Sequence, residues 1–273
     1  MVMKRGKREV LFSSFLLCLT FVSARSESVS SLEKELSDYS IIVTIAALII
    51  IAFFVSLFLF YSKELKKYKK IIFYLIIIPI IVSSIYLLGS TIYVNLISDT
   101  KGPVHWHADF EVWRCGEKLD LVDPQGFSNK VGSALFHEHN DNRIHVEGVV
   151  IDTTAVGLDE FFDVVGGSLF EDRFSFPTQE GIAEVQNGDV CDGEPGMMQV
   201  FLYRVINSEG NKKSGFVYAQ EKLNDFEDYV PAPYALVLPG DCIIVEFGEE
   251  KEQTDHLCES YRIAKEKGDL NGR

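Results

Sequence analysis

The sequence predicts an α+β protein: a mostly antiparallel β outer domain with one short internal helix and a C-terminal helix, preceded by a transmembrane helical hairpin. Three observations lead there. Two uncharged apolar runs occupy 41–61 and 71–97; beyond them, segment after segment alternates apolar and polar residues with the period of two that strands require. One internal stretch, GLDEFFDVVGG, instead spaces its apolar residues as a helix does.

The start, MVMKRGKREV, sets Lys4, Arg5, Lys7 and Arg8 ahead of an apolar run from Val10 to Val22, with the small residues Ser23 and Ala24 after it. This reads as a signal peptide over 1–24. An uncleaved anchor is the alternative, although a run this short, at ~1.5 Å rise per residue, does not cross a ~30 Å hydrocarbon core. A polar segment, 25–39, is expected outside the membrane. The apolar stretches assigned to 40–62 and 71–97 are both long enough to span. Between them 63–70, KELKKYKK, holds five lysines against one glutamate, and short lysine-rich loops stay cytoplasmic. By parity, residues 98–273 then lie on the extracytoplasmic side whether or not the signal is cleaved. The expected location is the cell membrane, multi-pass, with the lipid bilayer as a partner through two helices.

Charge divides at the same place. Only 11 of the 26 Lys and Arg, and six of the 40 Asp and Glu, precede residue 98, leaving 15 basic against 34 acidic residues in the outer domain. Such a surface repels nucleic acid and concentrates cations, so a nucleic-acid partner is excluded; solubility is the plainer reading of the same charge. Of five cysteines, Cys115, Cys191, Cys242 and Cys258 fall in this domain. An even count in an oxidising compartment predicts two disulfides with three possible connectivities, with free thiols or thiolate ligands as the alternative.

Within the domain, HWHADFEVWRC sorts as a strand with His105, His107, Asp109 and Glu111 on one face and Trp106, Ala108, Phe110 and Val112 on the other. A turn at 115–118 leads into a strand LDLV, and LFHEH and RIHVEGVVI supply two more around Asn140-Asp141-Asn142. GLDEFFDVVGG follows as the short helix, stopped by Gly166 and Gly167. Further strands are expected at SLFEDRFSF, MMQVFLYRVI, SGFVYAQ and YALVLPGDCIIVEFG, with a turn at 239–241 and loops at 187–196 and 207–215. A charged helix over 249–267 closes the chain and buries Leu257, Cys258 and Tyr261.

Five of the six histidines lie between residues 105 and 145. If Asn140–Asn142 form a three-residue hairpin loop, His137 stands opposite His145, with Cβ atoms roughly 4.5–5.5 Å apart. Glu147 then shares their face, and a two- or four-residue loop breaks the arrangement. With the first strand beside this hairpin, His105, His107, His137, His139, His145 and Glu147 converge. Imidazole with carboxylate suits a transition metal, here zinc or copper. A solvated histidine face or a pH-sensing cluster is the alternative. His256, on the closing helix, is expected to be ordinary surface.

HWHADFEVW, HEHNDNRIHVEG, GLDEFFDVVGG and PGDCIIVEFG, in that order after membrane helices, resemble a functionally uncharacterised family of microbial membrane-anchored or secreted proteins with HxH, HxH and IHxE motifs. The resemblance covers most of the outer domain and implies that the histidine motifs act together, without implying an activity. HWH followed by Glu111 also resembles the first cupin motif, but its glycines are misplaced and no second motif follows. HxH with a further strand histidine is similar to the three-histidine zinc site of alpha-type carbonic anhydrases, and nothing else of that pattern is present.

The preferred reading is thus a membrane-anchored extracytoplasmic domain that binds zinc or copper through a histidine cluster, for metal binding, sensing or delivery. One alternative is a metal-dependent enzyme of hydrolase or lyase type, with an open three-histidine site and Glu111 or Glu138 as base. Another is a pH-sensing or protein-interaction module without metal.

Overall fold

The protein was analysed as a computed structural model, which describes residues 31–207, 215–231 and 240–272. The signal segment 1–24, the start of the segment 25–39, most of the loop at 207–215 and residues 234–239 before the last turn lie outside them. The architecture is α+β, and two helices, α1 (Ser31–Phe60) and α3 (Lys69–Ile97), are long and apolar enough to cross a membrane. They contact each other and are joined at 61–68 through the one-turn helix α2 (Ser62–Leu65). Their surfaces carry exposed Ile, Leu, Phe and Val along much of their length. Helix α1 begins well before the apolar run, because Leu-Glu-Lys-Glu-Leu ahead of it consists of good helix formers.

Five residues separate α3 from β1 (Pro103–Arg114), and the join is tied down. Ser98 is fully buried, and the amides of Asp99 and Thr100 donate to the carbonyls of Ile151 and Val150. The domain is then built on a nine-stranded mixed sheet. In chain order its strands are β1, β2 (Glu117–Leu119), β3 (Val131–Gly132), β4 (Phe136–Glu138), β5 (Arg143–Val149), β11 (Met197–Val205), β12 (Phe216–Leu223), β13 (Asp241–Gly248) and β14 (Leu270–Gly272). In space they run β14-β12-β11-β13-β1-β5-β4-β3, with β2 paired to β1. All neighbours are antiparallel except β1 with β13 and β12 with β14. The parallel central pair puts β13 in the middle of the sheet, and every residue of that strand is buried. Its sequence, DCIIVEFG, is correspondingly almost continuous in apolar residues.

The apolar side of β1 faces the larger core as expected. Ala108, Phe110 and Val112 join Ile144, Val146, Val200, Ile243 and Val245 there. Helix α4 (Leu158–Val165) lays Leu158, Phe161, Phe162 and Val165 onto this layer, with the Phe110 and Phe161 rings 5.0 Å apart. Gly166 ends the helix at φ 95°, a left-handed conformation that glycine adopts without strain. Behind α4 a three-stranded sheet of β6 (Ser168–Phe170), β7 (Arg173–Thr178) and β8 (Gly181–Gln186) closes the core.

On the opposite face, α5 (Glu259–Glu266) and the segment before it cover the β12-β11-β13 half, burying Phe201, Tyr203, Ile244 and Tyr261. The predicted helix over 249–267 is therefore only eight residues long. Residues 249–256 run as an irregular strap because buried Gln199 and half-buried Gln220 offer their backbone better partners than a helix would. Gln199 bonds the Glu249 carbonyl and the Lys251 amide, and Gln220 bonds both groups of Thr254.

Other departures are local. SLFEDRFSF is two strands around Glu171-Asp172, and GIAEVQ is a strand that the sequence reading passed over. LDLV forms no strand beyond Leu119, while Leu121 makes a lone bridge to Thr178. The expected loop at 187–196 includes a small hairpin of β9 (Val190–Cys191) and β10 (Glu194–Pro195). Both disulfides form: Cys115–Cys191, spanning 76 residues, fixes this hairpin to the β1–β2 turn, and Cys242–Cys258, spanning 16, fixes the strap to β13.

Loop-closure entropy gives the two bridges different weight. Removing Cys242–Cys258 by double serine substitution is expected to cost about 3 kcal/mol, and removing Cys115–Cys191 about 4.5 kcal/mol. Urea midpoints of the full chain in detergent, read from the fluorescence of Trp106 and Trp113, check the order.

Candidate metal centre

The candidate site lies where the covering strap stops. Beyond α5, the polar face of β1, β5 and β4 runs from buried His137 and His145 to exposed His105, and strand register decides which side chains meet on it. His137 pairs with His145, which pairs in turn with His107, so one imidazole from each of three adjacent strands stands in a single row. His105 pairs with Glu147 in the next row. His139, just past β4, turns its ring to within 4.8 Å of that of His145.

The hairpin that sets this register is the one expected, with Asn140 and Asn142 at φ 65° and 55°. Asparagine tolerates this left-handed region better than most residues. Glu138, on the far face, seals the loop by accepting the amides of Asp141 and Asn142. Gly132 lets β3 approach, since a Cβ there would sit 2.6 Å from the Phe136 carbonyl oxygen and 3.3 Å from the His137 Cβ.

All six residues singled out in the sequence come together, in two sets. The donor atoms of His105, His107, His145 and Glu147 lie within 4.8 Å of one another, as do those of His137, His139 and Glu147. His105 Nε2 is 2.9 Å from Glu147 Oε1, while His137 Nε2 is 3.8 Å from Oε2. His137 Nε2 and His139 Nε2 are 3.1 Å apart.

Hydrogen-bond partners fix two tautomers. His145 Nε2 faces the Asp141 carboxylate at 3.2 Å and His139 Nδ1 faces the Asn129 carbonyl. Both partners only accept, so these nitrogens carry the protons. His145 Nδ1 and His139 Nε2 are left as lone pairs aimed into the cluster. Such contacts orient metal-binding imidazoles and raise their basicity. His107 Nε2 and His145 Nδ1 are buried without a hydrogen-bond partner, a cost that a cation would relieve.

Electrostatics keep the rings ready to ligate. Burial, reinforced by His145 and His105, lowers the His107 pKa to about 4. Burial, with Lys130 and His139 adding to it, lowers His137 to about 4. Burial also lowers His145, against the pull of Asp141.

The remaining expectations separate. Asp109 and Glu111 share the strand face but not the site. Asp109 binds Arg143 at 2.7 Å and accepts from Ser260. Glu111, four residues beyond His107 or roughly 13 Å along a strand, is held by Lys118 and Trp113. Neither Glu111 nor Glu138 is placed as a base for the cluster. His256 is not simple surface: it precedes α5, stacks on Trp113 with centroids 3.6 Å apart and faces Glu246. It belongs to neither donor set. Sequence reasoning missed Asp141 and the Asn129 carbonyl. A carboxylate in the loop of a histidine-bearing hairpin was a readable hint for the first; a carbonyl from a distant loop leaves none. No family model matches the chain, and neither does any curated protein or solved structure.

The lowered pKa values set a stability window for the chain kept metal-free by a chelator. His107 and His137 titrate at about 4 when folded and near ~6.5 when unfolded. Between those values the unfolded chain binds more protons. Stability is therefore undiminished above pH ~6.5 and declines as the pH falls towards about 4. Urea midpoints measured from pH 6.5 to 5, above the ordinary carboxylate range, should fall in the wild type and fall less in His137→Gln.

Proposed function

We propose that the chain is a membrane-anchored protein whose extracytoplasmic outer domain binds a transition metal, zinc or copper, through its histidine cluster, for metal binding, sensing or delivery. One observation carries the reading: five imidazoles and a carboxylate from three adjacent strands and a hairpin loop direct their donor atoms into one small region. Solvated surface histidines need no such convergence. His137 and His145 are almost wholly buried, and a lone pair on His145 has no protein donor. Imidazole with carboxylate is a ligand set that zinc and copper both accept. The acidic surface supports the reading by raising local cation concentration.

The anchoring half rests on the two apolar helices and on the lysines at their turn, which favour the cytoplasmic side. Two disulfides in the domain agree with an oxidising compartment. A second reading, a metal-dependent hydrolase or lyase, has one observation in its favour. A cleft lined by Asp109, Asp141, Asn142, Arg143 and Ser260 opens beside the cluster, and Asp141 is the partner of His145. There a substrate could approach the metal-bearing cluster.

Full chain purified in detergent without a histidine tag should carry zinc or copper by elemental analysis. His145→Ala should reduce occupancy sharply. His105→Ala, at an exposed position where folding is spared, should weaken binding at least ~10-fold. His256→Ala should leave metal content unchanged. Wild-type protein that retains neither metal after dialysis at neutral pH defeats the proposal. In intact cells, external protease should digest residues 98–273 and spare the 63–70 loop; protection of the domain would overturn the anchoring scheme.

A further inference from the structure

We infer that the cluster is a two-metal centre in which Glu147 bridges one ion held by His105, His107 and His145 to another held by His137 and His139. The inference rests on the metal-binding reading above and adds number, ligand assignment and bridge to it. Its first ground is that the donors divide into two sets with only Glu147 in common. The carboxylate is oriented to serve both. Oε1 lies 2.9 Å from His105 Nε2 and 4.0 Å from His145 Nδ1, while Oε2 is the oxygen that approaches His137 Nε2.

The second ground is the spacing within each set. Two donors bound to one ion at ~2.0–2.1 Å lie roughly 2.9 Å apart at a right angle and about 3.3 Å apart at the tetrahedral angle. His105 Nε2 with Glu147 Oε1, at 2.9 Å, and His137 Nε2 with His139 Nε2, at 3.1 Å, already have such edges. The two wider approaches to Glu147, 3.8 and 4.0 Å, need to contract by under about 1 Å to match.

The third ground is the fixed tautomers, which fall one in each set. His145 presents Nδ1 to the first set because Asp141 holds its Nε2 proton; His139 presents Nε2 to the second because Asn129 holds its Nδ1 proton. A single ion would leave one of these oriented lone pairs unused. The sets also differ in kind. Three imidazoles and a carboxylate complete a tetrahedral shell, whereas two imidazoles and a carboxylate leave one position for water or an incoming ligand. The centre would therefore be unsymmetrical, with one closed and one open ion.

The test is stoichiometry on the full chain in detergent, loaded with zinc and read by elemental analysis and native mass spectrometry. Two ions per chain are expected in the wild type, one in His107→Ala and one in His139→Ala, with tryptophan fluorescence confirming that each variant is folded. His139 is partly exposed and lies just past the end of β4, outside the sheet ladder, so its replacement leaves the strand pairing intact. One ion per wild-type chain at saturation overturns the two-metal centre and leaves the metal-binding reading standing; no ion defeats both. Loss of both ions from a folded single variant overturns the assignment of separate sets. Loading with copper(II) tests the bridge, since two copper(II) ions sharing one carboxylate lie close enough to couple, which is read either as lost electron paramagnetic resonance intensity or as dipolar broadening with a half-field transition. The unbroadened full-intensity spectrum of two isolated ions, with no half-field transition, in a chain that holds two copper ions overturns the bridging role of Glu147.

Discussion

The pairing of β5 between β1 and β4 is the constraint on which the candidate centre depends. A strand presents alternate side chains to opposite faces, so a slip of one residue would carry His145 and Glu147 to the core and Ile144 and Val146 to solvent. The apolar residues prevent it: Ile144 and Val146 are buried in the same core as Ala108 and Phe110. Apolar burial and donor convergence are thus a single fact seen from two sides of one sheet. The hairpin loop sets the same register independently, through two left-handed asparagines and the carboxylate of Glu138.

Burial shapes the chemistry as much as position does. Imidazoles in water divide between charged and neutral forms near neutrality, and a charged ring cannot ligate. Here the sheet and neighbouring rings hold the buried histidines neutral, while Asp141 and Asn129 decide which nitrogen of two of them faces inward. The cost is buried lone pairs without donors, tolerable in a native structure where something outside the chain supplies the missing partner.

Much of this was legible in the sequence, for physical reasons. Period-two alternation in HWHADFEVW is a direct record of a strand with two different faces, and Asn-Asp-Asn is a turn signal with a mechanism. Together they sufficed to align His137 with His145. What was not legible depends on partners remote in sequence. The strap at 249–256 has a composition that suits a helix and is drawn out by remote partners, chiefly Gln199 and Gln220, some 50 and 34 residues earlier, with Tyr203 and Lys222 adding to them. The central parallel pair was hidden likewise, because a fully buried strand shows no alternation to reveal its neighbours. The histidine chosen as ordinary surface went astray for the same reason: nothing in 249–267 announces the indole of Trp113.

That central pair has a consequence for assembly. β1 follows the second apolar helix almost at once, and its parallel partner β13 comes more than a hundred residues later, Ala108 being paired with Asp241. Contacts so distant in sequence form late, after their loop-closure entropy has been met. The donor-bearing strands β1, β4 and β5 instead lie within residues 103–149, with β4 and β5 joined as a local hairpin and β1 paired to β5 across fewer than fifty residues. A chain emerging from its N-terminus thus exposes every proposed ligand before the strand that closes the sheet has been made. An ion captured at that stage would hold the nascent hairpin in register and act as a template for the half of the domain still to come.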